Sequence, residues 1–339
     1  MFTTISNAQA KAVIDSEQIF AAYRDLSSQW VDYEGGIHWK KISGKEYLYR
    51  TSDRKGNGRS MGVKSPATES IFLTFSSRKE VLSSRLKDLR SRLELQSKLN
   101  VVYRAGHAQN QVADICEQLD RAQLFGQNLM VIGTNALYAY EAMAGVRFQS
   151  DILATVDIDL LWNHTSRLRI ATTKAMDKEG LLGLLRKADK SYEIVKTQPF
   201  RAVSKSGYMV DLIRQMPSPP WASEPDRFFD QDMVATDIWN MKWLLGAPKI
   251  DQPVIAGDGR IFMMTVPDPR AFVMFKLWLS QSDERDPLKK QRDAAQAIAL
   301  IDVIEQKLPH LNANWKAIKS FPLDVVDSAV VRIERHRFS

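Results

Sequence analysis

Three aspartates are candidates for chemistry because each lies in an apolar segment that is typical of a buried strand. Asp157 and Asp159 flank Ile158 in the segment ATVDIDLLW, and Asp211 lies in the later segment YMVDLI. Side chains of a strand alternate between its two faces, so Asp157 and Asp159 point the same way and Ile158 points towards a core. Two carboxylates held side by side repel each other, and a fold keeps such a pair mainly to bind a divalent cation.

The three aspartates together predict a magnesium site. Strand-borne acids can converge at one edge of a sheet, and a site of carboxylates alone matches Mg²⁺, which takes further ligands from substrate phosphates. Two such ions stabilise the attacking and leaving oxygens of an in-line phosphoryl or nucleotidyl displacement. In that arrangement all three aspartates ligate metal, and Asp211 also accepts the proton of the attacking hydroxyl. The alternative is a strand edge whose acids pair with cations, such as Arg147, Arg167 or Arg214.

A second candidate is the turn Gly133-Thr134, between the apolar segment LMVI and a predicted helix from Asn135 to about Ala144. Backbone N–H groups at the positive end of a helix bind phosphate. Gly133 would let the backbone approach closely, and the Thr134 hydroxyl can donate to a phosphate oxygen. Alone, the pair is better explained as an ordinary threonine cap. Together with three acids, the turn favours a nucleotide site.

Around this centre the sequence predicts an N-terminal extension rich in helix. Residues 9–32 are predicted to be helical, and the segments IHWKKI and KEYLYRT form a hairpin. The Gly-rich loop 53–62 is better explained as a connector than as a phosphate loop, although Arg54, Lys55 and Arg59 could reach a polyanion. Residues 77–99 predict a basic amphipathic helix. A solvated helix face is the commoner explanation for its charges, and nucleic-acid binding is the alternative.

The remaining pattern predicts strands and helices on both sides of the acids. Beyond a helix at 108–124, we expect a helix at 178–189, extended segments at 192–195 and 201–203, and a hairpin over 252–266. After Pro267 and Pro269 the pattern predicts helices near 270–281, 287–306, 311–319 and 323–336.

Composition and charge limit the partners and the kinds of site that the chain can have. The formal charge of +7 favours an anionic partner such as a nucleotide, a nucleic acid or an acidic surface. The single cysteine, Cys116, excludes an internal disulfide framework and fits a reducing cytoplasm. No segment has the roughly 18 apolar residues of a membrane span, and the N-terminus lacks the pattern of a secretory signal. The five histidines have no ligand-like spacing, which argues against zinc.

Three segments, VIGTNALYAYEAMAG, ATVDIDLLW and YMVDLI, resemble the polymerase-β-type nucleotidyltransferase superfamily. Further segments, including GGIHWKKI and VPDPRAFVMFKLW, resemble a bacterial branch of nucleotidyltransferase-fold proteins of unassigned substrate, from about residue 30 to 306. The resemblance implies an α+β (mixed α/β) fold with a small mixed sheet flanked by helices. It also implies dependence on a nucleoside triphosphate (NTP) and Mg²⁺. We therefore expect an N-terminal region at 1–105, a catalytic core at 106–268 and a C-terminal helical region at 269–339.

Carried over residue by residue, the resemblance places Gly133, Thr134 and Asn135 at the nucleotide-binding turn. Asp157, Asp159 and Asp211 take the positions of the catalytic metal triad. By analogy with helical regions that follow such cores, Lys276 and Lys289 would contact the triphosphate; the alternative is a snorkelling lysine and a solvated helix start. Two departures are a threonine in place of the usual Gly or Ser at 134, and a long gap before Asp157, which implies an inserted connection around 144–153.

The leading hypothesis is a Mg²⁺-dependent enzyme that transfers a nucleoside monophosphate from ATP or another NTP to a hydroxyl. The acceptor could be an RNA 3′ end, a protein side chain or a small molecule. The basic character favours RNA, such as tRNA, or protein, as in nucleotidyltransferase toxins. The alternative hypothesis is a catalytically silent module of the same fold that binds a nucleotide or nucleic acid and regulates a partner. A pure scaffold would leave the three acids unexplained.

Overall fold

The structure, a computed structural model, describes residues 2–52, 57–126, 128–164, 180–222, 227–311 and 314–338. It is a mixed α+β architecture with several small sheets, which confirms the predicted fold class. The strands are β1 (Phe2–Thr4), β2 (Gly36–Ile42), β3 (Lys45–Thr51), β4 (Gly58–Val63), β5 (Leu129–Ile132), β6 (Val146–Phe148), β7 (Asp157–Trp162), β8 (Glu193–Val195), β9 (Gln198–Val203), β10 (Met209–Gln215), β11 (Thr236–Ile238), β12 (Lys249–Ile255) and β13 (Ile261–Pro267).

The α-helices of the described residues are α1 (Asn7–Val31), α2 (Pro66–Tyr103), α3 (Asn110–Arg121), α4 (Ala136–Ala144), α5 (Ser150–Leu153), α6 (Gly180–Ala188), α7 (Met241–Leu245), α8 (Pro269–Leu279), α9 (Pro287–Lys307) and α10 (Leu323–Arg337). The chain divides into two compact units. One is Lys11–Leu99, and the other combines Met1–Ala10 with Asn100–Ser339.

The unit Lys11–Leu99 combines most of α1 and α2 with an antiparallel sheet in the order β2-β3-β4. Its core includes Leu48 of the central strand and Leu82 and Leu86 of α2. In the predicted amphipathic helix, the apolar residues Leu82 and Leu86 therefore face inward. The predicted helix at 9–32 and the predicted hairpin are confirmed, and α2 begins eleven residues before the predicted helix at Ser77.

The larger unit is built around a six-stranded mixed sheet in the order β5-β7-β10-β9-β8, with β11 also paired to β10. Strand β7 is antiparallel to β5 and parallel to β10. Ile158, Leu160, Val210 and Leu212 are fully buried, as their apolar types require. The predicted hairpin at 252–266 is confirmed as β12 and β13. No helix among the described residues has both the length and the apolar character needed to cross a membrane.

Two local predictions are corrected, and the structure describes the predicted inserted connection in more detail. The Gly-rich segment is not a connector throughout, because Gly58–Val63 forms β4; Arg59 lies in that strand, and Arg54 and Lys55 lie outside the described residues. The predicted helix at 311–319 is replaced by two short 3-10 turns, Pro309–Leu311 and Trp315–Ala317. The inserted connection contains strand β6, which pairs with β1, and the short helix α5.

Candidate functional site

The three predicted aspartates come together at one edge of the central sheet. Asp157 is the first residue of β7, and Asp159 lies two residues further on the same face. Asp211 of β10 is directly opposite Asp159 in the parallel register. Each aspartate offers a carboxylate oxygen, and the three oxygens lie within 4.8 Å of one another. The sheet thus holds three acids in one small volume, as the sequence predicted for a cation site.

Gly133 lies directly against this acidic cluster. It follows β5, whose last residue, Ile132, is opposite Asp159 in the antiparallel register. The backbone of Gly133 has φ +67°, and an ideal Cβ there would lie 2.2 Å from Oδ2 of Asp159. The site therefore requires glycine for two reasons: the left-handed backbone and the close approach of the carboxylate.

Burial and crowding change the proton affinity of the central acid. The pKa of Asp159 is raised to about 7, first by loss of solvent and then by the negative charges of Asp157 and Asp211. Lys276 and Arg285 act in the opposite direction. A carboxyl group in this position gives up its proton readily only when additional positive charge is nearby. Such oxygens are hard ligands, and the cluster therefore fits a divalent ion such as Mg²⁺.

Asp211 has a partner that the sequence did not suggest. Arg201 of β9 lies opposite Asp211 across the antiparallel pair β9–β10. Its Nε donates to Asp211 Oδ1 at 2.7 Å and its Nη2 to Oδ2 at 2.6 Å, while Nη1 donates to Gln198. This two-point contact fixes the orientation of a buried carboxylate.

Two of the three cations that the sequence offered as partners for the acids have other contacts. Arg147 donates to the carbonyl of Ala105 and lies near Glu141, and Arg214 pairs with Asp237. Arg167 lies outside the described residues. Among the described residues, the alternative of strand-edge acids paired with cations is therefore met at Asp211, through a different arginine, Arg201.

The predicted nucleotide turn is held by the helix α9. The Thr134 hydroxyl accepts from Arg292 Nη2 at 2.5 Å and from Gln296 Nε2 at 3.1 Å. Gln296 also donates to the carbonyl of Ile152 in α5, inside the inserted connection. A hydroxyl has two acceptor positions and one proton. With both acceptor positions engaged, Thr134 can still donate its proton.

Asn135 is buried and ties the turn to β7. Its Nδ2 donates to the backbone carbonyl of Asp157 at 2.6 Å. This contact joins the start of α4 to the first residue of the acidic strand. This bond orients the turn relative to β7. A direct contact between Asn135 and a nucleotide stays a prediction.

A buried cationic group lies beside the acids. Lys276 of α8 donates to Asp293 Oδ1 at 2.6 Å, and Arg285 Nε donates to Asp293 Oδ2 at 2.8 Å. Asp293 of α9 is buried, so it holds the two cations side by side. Burial lowers the pKa of Lys276, which Asp293 opposes. Both cations lower the pKa of Asp159, so their positive charge acts on the acidic cluster.

Lys289 is placed differently from Lys276. It lies in the first turn of α9, its side chain is exposed, and its backbone N–H is bonded to the capping residue Asp286. Among the described residues, no contact joins its side chain to the acids. The predicted contacts of Lys276 and Lys289 with a triphosphate both stay predictions.

Sequence reasoning missed Arg201, Arg292, Gln296 and the bridging role of Asp293. A signal existed for three of them. Arg292 and Gln296 are four residues apart, so they share one face of a helix. A hairpin turned by SKSG would also have paired Arg201 with Asp211. No local pattern could show that α9 reaches Thr134.

A family model described as nucleotidyltransferase matches residues 110–319, more than half of the chain. No curated protein matches the chain, and no solved structure does. The matched region contains the turn, the three aspartates, the cationic pair and the helix that holds Thr134. The predicted resemblance to nucleotidyltransferases is confirmed. The chain therefore belongs to a nucleotidyltransferase family and is a transferase.

Proposed function

We propose that this protein transfers a nucleoside monophosphate from an NTP to a hydroxyl group of an acceptor, with release of pyrophosphate. The observation that carries the proposal is the convergence of three carboxylate oxygens within 4.8 Å, directly beside Gly133. In the transfer, the acceptor oxygen forms a bond to the α-phosphorus. The bond from that phosphorus to the bridging oxygen of pyrophosphate breaks. The acceptor hydroxyl loses its proton.

The acidic cluster is the proposed site of Mg²⁺, held by Asp157, Asp159 and Asp211. When bound, Mg²⁺ would supply positive charge for the phosphate oxygens and for the attacking and leaving oxygens. Asp211 is the proposed acceptor of the hydroxyl proton. Each oxygen of a carboxylate has two acceptor positions, so the contact with Arg201 leaves Asp211 able to accept further bonds.

The rest of the proposed site binds the triphosphate. Lys276 and Arg285 provide fixed positive charge beside the acids, because Asp293 holds both in place. The Thr134 hydroxyl, engaged as an acceptor by α9, would direct its proton towards a phosphate oxygen. The exposed Lys289 would take a secondary part in this binding.

The test is incubation of the purified protein with α-³²P-labelled NTP, Mg²⁺, and either tRNA or cell lysate. We expect label to enter an acceptor with the wild type and not with Asp157→Asn or Asp211→Asn. Asp324→Asn is a matched control, because Asp324 is an exposed aspartate in the first turn of α10. Equal labelling by the wild type and Asp157→Asn would contradict the assignment of the acids.

A further inference from the structure

The smaller unit carries most of the net positive charge of the protein. Residues 11–99 contain 17 lysines and arginines and 11 acids, a formal charge of +6 out of +7 for the whole chain. Within this unit, the net positive charge is concentrated in the segment that contains the sheet β2-β3-β4. Residues 36–63 have seven basic residues and two acids, a formal +5 in 28 residues. Such a concentration indicates an anionic partner.

The two faces of this sheet have different surroundings. One face packs on α2, where Trp39 lies 5.9 Å from Phe72 and the Arg50 guanidinium lies 4.4 Å from the centre of the Phe75 ring. The opposite face, which we call the outer face, is turned away from α2. Its members alternate with the packed residues along β2 and β3. They are His38, Lys40 and Ile42 of β2 and Lys45, Tyr47 and Tyr49 of β3.

The outer face combines aromatic rings with cations. Tyr47 and Tyr49 are two residues apart on one strand and are partly exposed. The Lys40 ammonium lies 5.3 Å from the centre of the Tyr49 ring, and the His38 ring is stacked with Tyr49 at 6.3 Å. His38, Lys40 and Lys45 are exposed. The one acid described in these strands, Glu46, belongs to the other face and pairs with Lys64.

We propose that the outer face of the sheet β2-β3-β4 binds single-stranded nucleic acid. Neighbouring aromatic side chains on an exposed antiparallel sheet provide stacking surfaces for unpaired bases, and lysines around them attract the phosphate backbone. A partner with charge alone would not require the two tyrosines. A duplex keeps its bases stacked inside and could not use the rings. The surface therefore selects single strands.

The experiment measures binding of the full chain to a fluorescein-labelled single-stranded RNA of about a dozen nucleotides by anisotropy. We expect affinity that falls steeply with salt. Tyr47→Ala and Tyr49→Ala should each weaken binding about tenfold, and Tyr49→Phe should retain it because the ring remains. Lys40→Glu should also weaken binding. Lys190→Glu, a matched charge change at an exposed lysine of the other unit, should leave it unchanged.

Several results would overturn the proposal. They are absence of binding at low salt, equal affinity of the tyrosine-to-alanine variants and the wild type, and equal affinity for duplex RNA or for polyglutamate. Circular dichroism checks that each variant is folded, and Lys40→Glu tests the surface at a position that is not in the core. Asp157→Asn, inactive under the proposed function, should bind RNA like the wild type. Failure of transfer and failure of RNA binding are thus separate outcomes.

Discussion

Each of the three site aspartates has a different neighbour that determines how its charge is held. The Thr155 hydroxyl donates to the carboxylate of Asp157. Asp211 has the two-point contact with Arg201, and Asp159 lies between the other two acids with a pKa raised to about 7. In the protein without metal, the central position is thus the one where negative charge is least favourable.

Asp159→Asn should remove a pH-dependent loss of stability in metal-free protein. The pKa of Asp159 rises from an ordinary 3.8 in the unfolded chain to about 7 in the folded chain. The folded state therefore holds this proton more tightly, and stability falls as pH rises from about 4 to about 7. Three pKa units correspond to a free energy of the order of 4 kcal/mol. Asparagine does not ionise, so Asp159→Asn should lose none of this stability as pH rises.

The measurement is urea unfolding in EDTA at pH 5 and pH 8. The free energy of unfolding of the wild type should decrease between these values by more than that of Asp159→Asn. Addition of Mg²⁺ at pH 8 should stabilise the wild type and have little effect on the variant. Identical pH profiles for the two proteins would contradict the environment described for Asp159.

Arg201→Met should destabilise the metal-free protein by about 1–3 kcal/mol, because it leaves the buried Asp211 carboxylate without its charged partner. Arg201→Lys is the matched control. It keeps the charge but not the two-point contact, and it should have an intermediate effect. Thermal unfolding in EDTA and in Mg²⁺ measures both. A variant as stable as the wild type in EDTA would show that Arg201 does not hold Asp211.

At the scale of elements, apolar segments correctly predicted the strands around the site, because most residues of β5, β7 and β10 are buried. The register of β7 and β10 could not be predicted from the sequence, because the opposition of Asp211 and Asp159 depends on how two distant strands align. Gly58–Val63 was missed as a strand because GRSMGV has neither apolar alternation nor high strand propensity. It becomes a strand by pairing with β3, which supplies its backbone partners.

Gly133→Ala tests how closely the turn approaches β7. The new Cβ would meet Asp159 Oδ2 at 2.2 Å in addition to the strain of φ +67°. Gly207→Ala is the matched control, because Gly207 has φ +82° and no atom within 4 Å of its ideal Cβ. We expect both variants to lose about 1 kcal/mol from backbone strain. Only Gly133→Ala should lose binding of Mn²⁺, a Mg²⁺ substitute, in calorimetry; equal Mn²⁺ binding by the two variants would contradict the observed contact.

At the scale of the whole molecule, the site draws on segments that are far apart in the chain. Thr134 and Gln296 are 162 residues apart and joined by a hydrogen bond. The sequence predicted both segments, but contacts of this range are set by tertiary packing and leave no local pattern. The three-part division at residues 105 and 268 stays a prediction. Sequence patterns thus gave the acids and the turn, and the structure added the groups that hold them.

Thr134→Val should show whether α9 supports nucleotide binding. The change removes the hydroxyl from a buried position, so Arg292 and Gln296 lose this acceptor, although Gln296 keeps its bond to the Ile152 carbonyl. A loss of this kind costs about 1–3 kcal/mol, so we expect kcat/KM for NTP to fall at least about fivefold. Thr134→Ser keeps the hydroxyl and should stay within about twofold of the wild type. Equal kcat/KM values for Thr134→Val and Thr134→Ser would contradict a role of α9 in nucleotide binding.

The hydrogen bonds between Thr134 and α9 also set the order in which the site is assembled during synthesis. A ribosome makes the turn and all three aspartates long before it reaches Arg292 and Gln296. A nascent chain that has passed Asp211 therefore has its acids but lacks the side chains that hold the turn. The Thr134 hydroxyl therefore gains these hydrogen bonds only when the helix that begins at Pro287 has emerged and folded. The order of synthesis thus delays assembly of the proposed site until most of the chain has been made.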